Sequence, residues 1–316
     1  MLQYGYKLGA PPTPRARLCP TQPWIEYLPV KERVPIHWPN GARLAVWLCP
    51  NILHYEYDPP HDPWITAYAR TPQPDVFSYC HQEFGSRVGF WRMVETLDRY
   101  ELPCTAIVNS SALKQYPDLC AAAVNRKWDF VGHGMCNTRF TFGLDRAAEL
   151  AYFQRVITDI YESTGVKVTG MGGPGPQAAT ENTPDVLAEA GLSFYTDFFA
   201  DDQPFPIRVK SGRLISMPYT LEINDATFLS AGFEADQFAD AMKRQFDVLY
   251  AEGAESGRVM CISLHAHILG QAHRTRYLGD VLKYITSFSD VWFATGSEIA
   301  QYYLDHCFDA ATRHWK

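Results

Sequence analysis

From residue 43 onward, short apolar runs alternate with longer amphipathic stretches, and that alternation predicts the elements of the fold. Apolar runs at 43–49, 104–109, 128–132, 166–171, 193–196, 214–217, 259–264 and 291–294 read as strands. Residues 89–100, 117–126, 145–164, 184–190, 234–251, 274–287 and 297–307 read as helices between them. Gly165 and Gly191 stand just past two of these helices, where a C-terminal cap favours glycine. About eight strands with intervening helices predict an α/β barrel of parallel strands. No Gly-x-Gly-x-x-Gly or P-loop follows the first strand, which removes the usual open-sheet nucleotide fold.

The first forty residues show neither period and carry prolines from Pro11 to Pro39. They read as an extended arm, residues 1–40, preceding a barrel domain of residues 41–316. Trp24, Tyr27 and Trp38 in the arm predict that it wraps a surface or a neighbouring subunit. Residues 59–76, dense in proline and aromatics, are long enough for a lid or an oligomer contact.

Composition narrows the partners. With 316 residues, 47% of them hydrophobic, the chain affords a large core. A net charge of −7, with Lys and Arg scattered, gives no footprint for nucleic acid or an anionic membrane. No apolar run approaches the ~20 residues of a membrane helix, and residues 1–10 lack the basic-then-apolar order of a secretory signal, so a cytoplasmic location is expected. The eight cysteines include no Cys-x-x-Cys pair and read as reduced thiols.

In such a barrel, chemistry sits where strands end. Asn51 and His54 follow the first strand. His133 and Asn137 follow the third, and one helical turn would put them on one face. Gly172 to Pro176 follows the fourth, its glycines allowing close backbone approach to a ligand, although a plain turn explains it equally well. Pro218 to Asp225 follows the sixth strand, and His265 with His267 ends the seventh. Taken singly, His54, His81 and His273 read as hydrogen-bonded structural residues. His133 and His265 stand out because both occupy C-terminal strand ends of one barrel.

Several segments in order resemble the metal-independent allantoinases, a branch of the NodB-type polysaccharide deacetylases. They are Glu83-Phe84-Gly85-Ser86-Arg87-Val88-Gly89-Phe90-Trp91-Arg92, Val131-Gly132-His133-Gly134, Tyr195 with Asp197 and Ala200-Asp201-Asp202-Gln203-Pro204, Pro218 to Asp225, and Leu264-His265. The resemblance covers roughly residues 43–303 and implies a distorted (β/α) barrel of seven to eight strands. Metal-dependent members carry Asp-Asp after the first strand and His-x-x-x-His after the third. Here Pro50-Asn51 and His133 with Asn137 stand instead, which removes charge and strong donors together. The Glu-Glu pair of related allantoinases is also absent, so the resemblance does not carry over allantoin as substrate. No cofactor is therefore expected; a divalent metal such as zinc stays open only through regrouped histidines, His133 first.

The leading expectation is hydrolysis of a C–N bond in a small amide, cyclic imide or ureide. His133 and His265 are the candidates for proton transfer, with Asp225 or Glu222 as the orienting carboxylate or base. Asn51, Asn137, Trp91, Gly173, Pro174, Phe199, Asp202 and His267 are the candidate substrate-binding residues. A metal-dependent N-deacetylase of an amino sugar and a non-catalytic or repurposed binding barrel are the alternatives. The resemblance also implies a homo-oligomer, dimer or tetramer.

Overall fold

The computed structural model describes residues 17–19, 22–60, 73–174 and 179–315. Its strands are β1 (Arg17–Cys19), β2 (Gln22–Tyr27), β3 (Leu44–Ile52), β4 (Thr105–Val108), β5 (Asp129–Gly132), β6 (Gly170–Met171), β7 (Phe194–Tyr195), β8 (Phe205–Ile207), β9 (Leu214–Ser216), β10 (Arg258–His265) and β11 (Val291–Phe293). A nine-stranded sheet runs β10-β3-β4-β5-β6-β7-β9-β8 with β11 also on β3, and each of the eight predicted strands is in it. Every pairing is parallel except β8 with β9. The sheet curls until its edges approach: Val259 of β10 donates its N–H to the Asp202 carbonyl at 2.8 Å, and Asn224 bridges Ser263. This is the distorted barrel of parallel strands expected from the chain.

β3 shows why these runs are continuous rather than alternating. All nine of its residues are buried, as a parallel strand covered on both faces requires. Leu44, Val46 and Leu48 enter the core under the outer helices, whereas Ala45, Trp47 and Cys49 enter the barrel interior. Trp47, fully buried, donates Nε1–H to the Pro218 carbonyl at 3.1 Å across that interior. Trp47→Ala is expected to destabilise the protein by about 3–5 kcal/mol, measured by urea unfolding.

The helices are α1 (Val76–Phe84), α2 (Phe90–Asp98), α3 (Ser110–Gln115), α4 (Pro117–Asn125), α5 (Arg146–Thr164), α6 (Thr183–Glu189), α7 (Asp225–Ser230), α8 (Ala235–Glu252), α9 (Ala266–Leu269), α10 (Thr275–Ile285), α11 (Gly296–His306) and α12 (Phe308–Ala311). The seven predicted helices are present, Gly165 caps α5 at φ 71° and Gly191 stands at φ 84°. α11 closes the N-terminal end of the barrel, sending Ile299, Ala300, Tyr303 and Leu304 into the interior core with Trp47. Among the described residues no helix is long and apolar enough to cross a membrane.

Three readings change. Residues 133–137 make no helical turn, because Gly134 sits at φ 69° and breaks the chain direction. The helix predicted from residue 89 begins at Val76 and passes through a π-helical turn at Gly85–Gly89 into α2. The arm is partly a hairpin, β1 against β2 antiparallel. Its later residues lie on the chain's own barrel: Trp38 is buried and donates Nε1–H to the Arg258 carbonyl, and Arg33 pairs with Asp201. The lid or contact expected at 59–76 falls largely on residues 61–72, outside the described residues.

Candidate active site

The C-terminal strand ends surround a cavity of about 400 Å³. β5 delivers His133 to it: the His133 N–H donates to the Val108 carbonyl at 2.7 Å, and Asn109 Nδ2 donates to the His133 carbonyl at 2.5 Å. β10 delivers His265 as its last residue. Both rings line the one cavity.

His265 is held by Asp225, the first residue of α7, which is fully buried. Asp225 Oδ2 accepts the His265 backbone N–H at 2.7 Å, and Oδ1 lies 2.7 Å from Nδ1. An ionised carboxylate only accepts, so Nδ1 carries the proton and Nε2 is left with a lone pair. His267 follows, its ring edge-to-face with His265 at 5.7 Å between centroids and with His81 of α1 at 4.8 Å.

Burial sets the charge state of these imidazoles, because a low-dielectric wall disfavours the cation. It pushes His133 down to about 3, with His265 adding to the effect. His267 is held well below its ordinary value by burial and then by His265 and His81; His81 is lowered by burial and then by Arg274. All three are neutral at pH 7.

The carboxylate that faces the cavity is Asp197, just beyond β7. Its oxygens accept the Gly173 N–H at 2.9 and 3.1 Å, the Tyr195 hydroxyl at 2.8 Å and the Thr196 hydroxyl at 3.3 Å. Burial raises its pKa to about 6 against the opposing pull of those donors. A folded-state pKa above the unfolded value means the native state binds the extra proton, so this group's contribution to stability falls as pH rises from about 4 to 6. Asp197→Asn is expected to gain roughly 2 kcal/mol on the wild type between pH 4 and pH 7, allowing for partial exposure, as read from urea midpoints across that range.

The structure divides the other predicted residues. Asn137 reaches the cavity by a bend and donates to the Tyr55 hydroxyl at 3.0 Å; Phe199 also lines it. Asn51 lies opposite His265 in the β3–β10 register, outside the described lining, with its NH₂ turned onto the Cys49 carbonyl, the Ser263 hydroxyl and the Leu264 carbonyl. Gly173 binds Asp197 through its backbone, Pro174 packs by Gly134, and residues 175–178 of that loop lie outside the described residues. Asp202 and Glu222 line a neighbouring depression, across Phe199 and Tyr219 from the histidines. Trp91 points outward from α2, 40% exposed. Asp197, His81 and Gln82 were not among the predicted site residues; Asp197 followed a strand end, but no pattern in the sequence pointed to α1 as a cavity wall.

The NodB-type metal site does not fit these residues. Beside His133, the neutral Asn137 amide binds Tyr55 and the Asn51 amide turns into the core, whereas a divalent cation needs carboxylate or imidazole donors there. Among the described residues no three His, Cys, Asp or Glu side chains cluster to hold a cation.

No protein-family model matches the chain. A Schizosaccharomyces pombe protein whose name assigns it to the polysaccharide deacetylases is 28% identical over 294 residues, 84% of this chain and 91% of that protein. A Pseudomonas aeruginosa PAO1 structure of the same designation superposes with a TM-score of 0.76 at 26% identity, covering 87% of this chain and 95% of its own. The Puue allantoinase structure gives 0.75 at 26% identity, with 87% and 94% covered. In its curled parallel barrel and along most of its length the chain is similar to proteins of the NodB-type polysaccharide deacetylase superfamily.

Proposed function

We propose that the protein hydrolyses a C–N bond in a small, uncharged amide, cyclic imide or ureide, with His265 as the proton-transfer group. The observation that carries this reading is the two-point grip of Asp225 on His265. Fixing Nδ1–H toward a buried carboxylate leaves Nε2 basic and steadies the imidazolium that forms on protonation. Water gives a proton to Nε2 as its oxygen adds to the substrate carbonyl carbon. The C–N bond then breaks, and the imidazolium returns the proton to the departing nitrogen. His133, neutral at pH 7 and on the same cavity, stabilises the developing oxyanion through a hydrogen bond.

The superfamily names of the relatives support hydrolysis at nitrogen, and the Puue allantoinase likeness supports a ureide-sized substrate. The absence of Lys and Arg from the described lining favours an uncharged one. Succinimide, hydantoin, allantoin and N-acetylglucosamine, each followed by NMR for product, test it. Ring opening of a cyclic member is the expected result. Release of acetate from the sugar alone, together with bound zinc, establishes the amino-sugar deacetylase instead; a raised melting temperature without product marks a binding protein.

A further inference from the structure

We propose that Gln82 determines which substrates the cavity accepts, its side-chain carbonyl taking a hydrogen bond from a substrate N–H. Resting on the C–N hydrolase reading above, the inference assigns one wall of that same site. Gln82 lies in α1, is 5% exposed, and lines the cavity. Its NH₂ group donates weakly to the Leu53 carbonyl at 3.4 Å. Turning the amide round would set two acceptor oxygens against each other, so the carbonyl is the end left without a partner. Oε1 is buried and has no hydrogen-bond partner among the described residues.

A buried acceptor without a partner costs about 1–3 kcal/mol. Among the described residues seven buried side-chain N or O atoms lack a partner, and three of them, Gln82 Oε1, Asn137 Oδ1 and His267 Nδ1, belong to residues lining this one cavity. Such a wall is completed by a ligand bearing hydrogen-bond donors. The Asp197 carboxylate and the lack of Lys or Arg in the described lining disfavour an anionic ligand, leaving a neutral molecule with N–H groups.

Gln82 is also held rigidly. Three residues on, a Cβ at Gly85 would lie 2.6 Å from the His267 backbone nitrogen, so the π-turn presses against the segment that carries His265 and His267. A π-turn in this position is a common device for setting functional side chains. The distance between Gln82 and the proton-transfer group is thereby fixed by backbone contact, which is what selection by a hydrogen bond requires.

The test compares succinimide with N-methylsuccinimide and hydantoin with its N-methyl derivatives, by calorimetric binding and by turnover. Wild type and Gln82→Met are measured. Wild type is expected to bind the N–H member about 10–100-fold tighter. Gln82→Met should bring that ratio within about 3-fold without lowering the melting temperature, since an orphaned buried acceptor is removed. An unchanged ratio in Gln82→Met, or no N–H preference in wild type, overturns the assignment of Gln82. Selective binding without hydrolysis overturns the hydrolase reading while leaving Gln82 in place; failure of every compound to bind overturns both.

Discussion

His265→Ala is expected to lower kcat/KM on the best cyclic substrate by about 10³–10⁴-fold, since the buried Asp225 carboxylate holds this imidazole as the base. The same substitution has a structural cost that must be separated from the chemical one. Asp225 is fully buried and has both oxygens on His265; truncating the ring leaves only the backbone N–H on one of them. An uncompensated buried carboxylate costs about 3–5 kcal/mol. His265→Ala combined with Asp225→Asn should therefore recover much of the lost stability without recovering turnover. Asp225→Asn alone should also be slow, by about 10²–10⁴-fold, because an amide that donates to Nδ1 selects the wrong tautomer. Stopped-time product assays with circular dichroism and melting curves check each variant. Wild-type turnover in a folded His265→Ala protein sinks the proposal.

The second large effect concerns a glycine that touches no substrate. A Cβ on Gly89 would penetrate the Ala266 carbonyl oxygen and lie 2.9 Å from its carbon, with Gly270 Cα at 3.4 Å. All three obstacles are backbone, so neither partner can relax by rotating a side chain. Gly89→Ala is expected to destabilise by roughly 3 kcal/mol, lowering the melting temperature by about 5–10 °C. Because the displaced segment starts beside His265, turnover should fall as well, even where the protein stays folded. Gly279→Ala, in α10, is the control: its Cβ meets only the Thr96 methyl at 3.7 Å, so replacing a helical glycine there should be neutral or stabilising by up to about 1 kcal/mol. Equal melting temperatures for the two variants contradict the close backbone contact.

The strands were legible because each one is an unbroken apolar run long enough to be buried on both faces, as β3 and β10 show. His133 and His265 were legible for the same reason, since a polar residue that ends such a run emerges at the barrel mouth. Sequence pattern also reached Asp225, through a resemblance, but not its grip on His265, which joins residues forty apart. α1 was illegible: glycines at 85 and 89 disfavour a helix, and only contact with residues 266–270 explains them. The assignments of Glu222 and Asp202 to the site depended on how the Pro218–Asp225 and Ala200–Pro204 loops turn, and the fold places both beyond Phe199 in a different depression. Local periodicity reports whether a residue is buried, because burial repeats with the element. Which polar groups meet is set by loop direction and backbone contact across the barrel, so the strands, two histidines and the candidate carboxylates Asp225 and Glu222 came from the sequence, whereas Asp197, His81, Gln82 and the choice of Asp225 as the partner of His265 were decided by the tertiary structure.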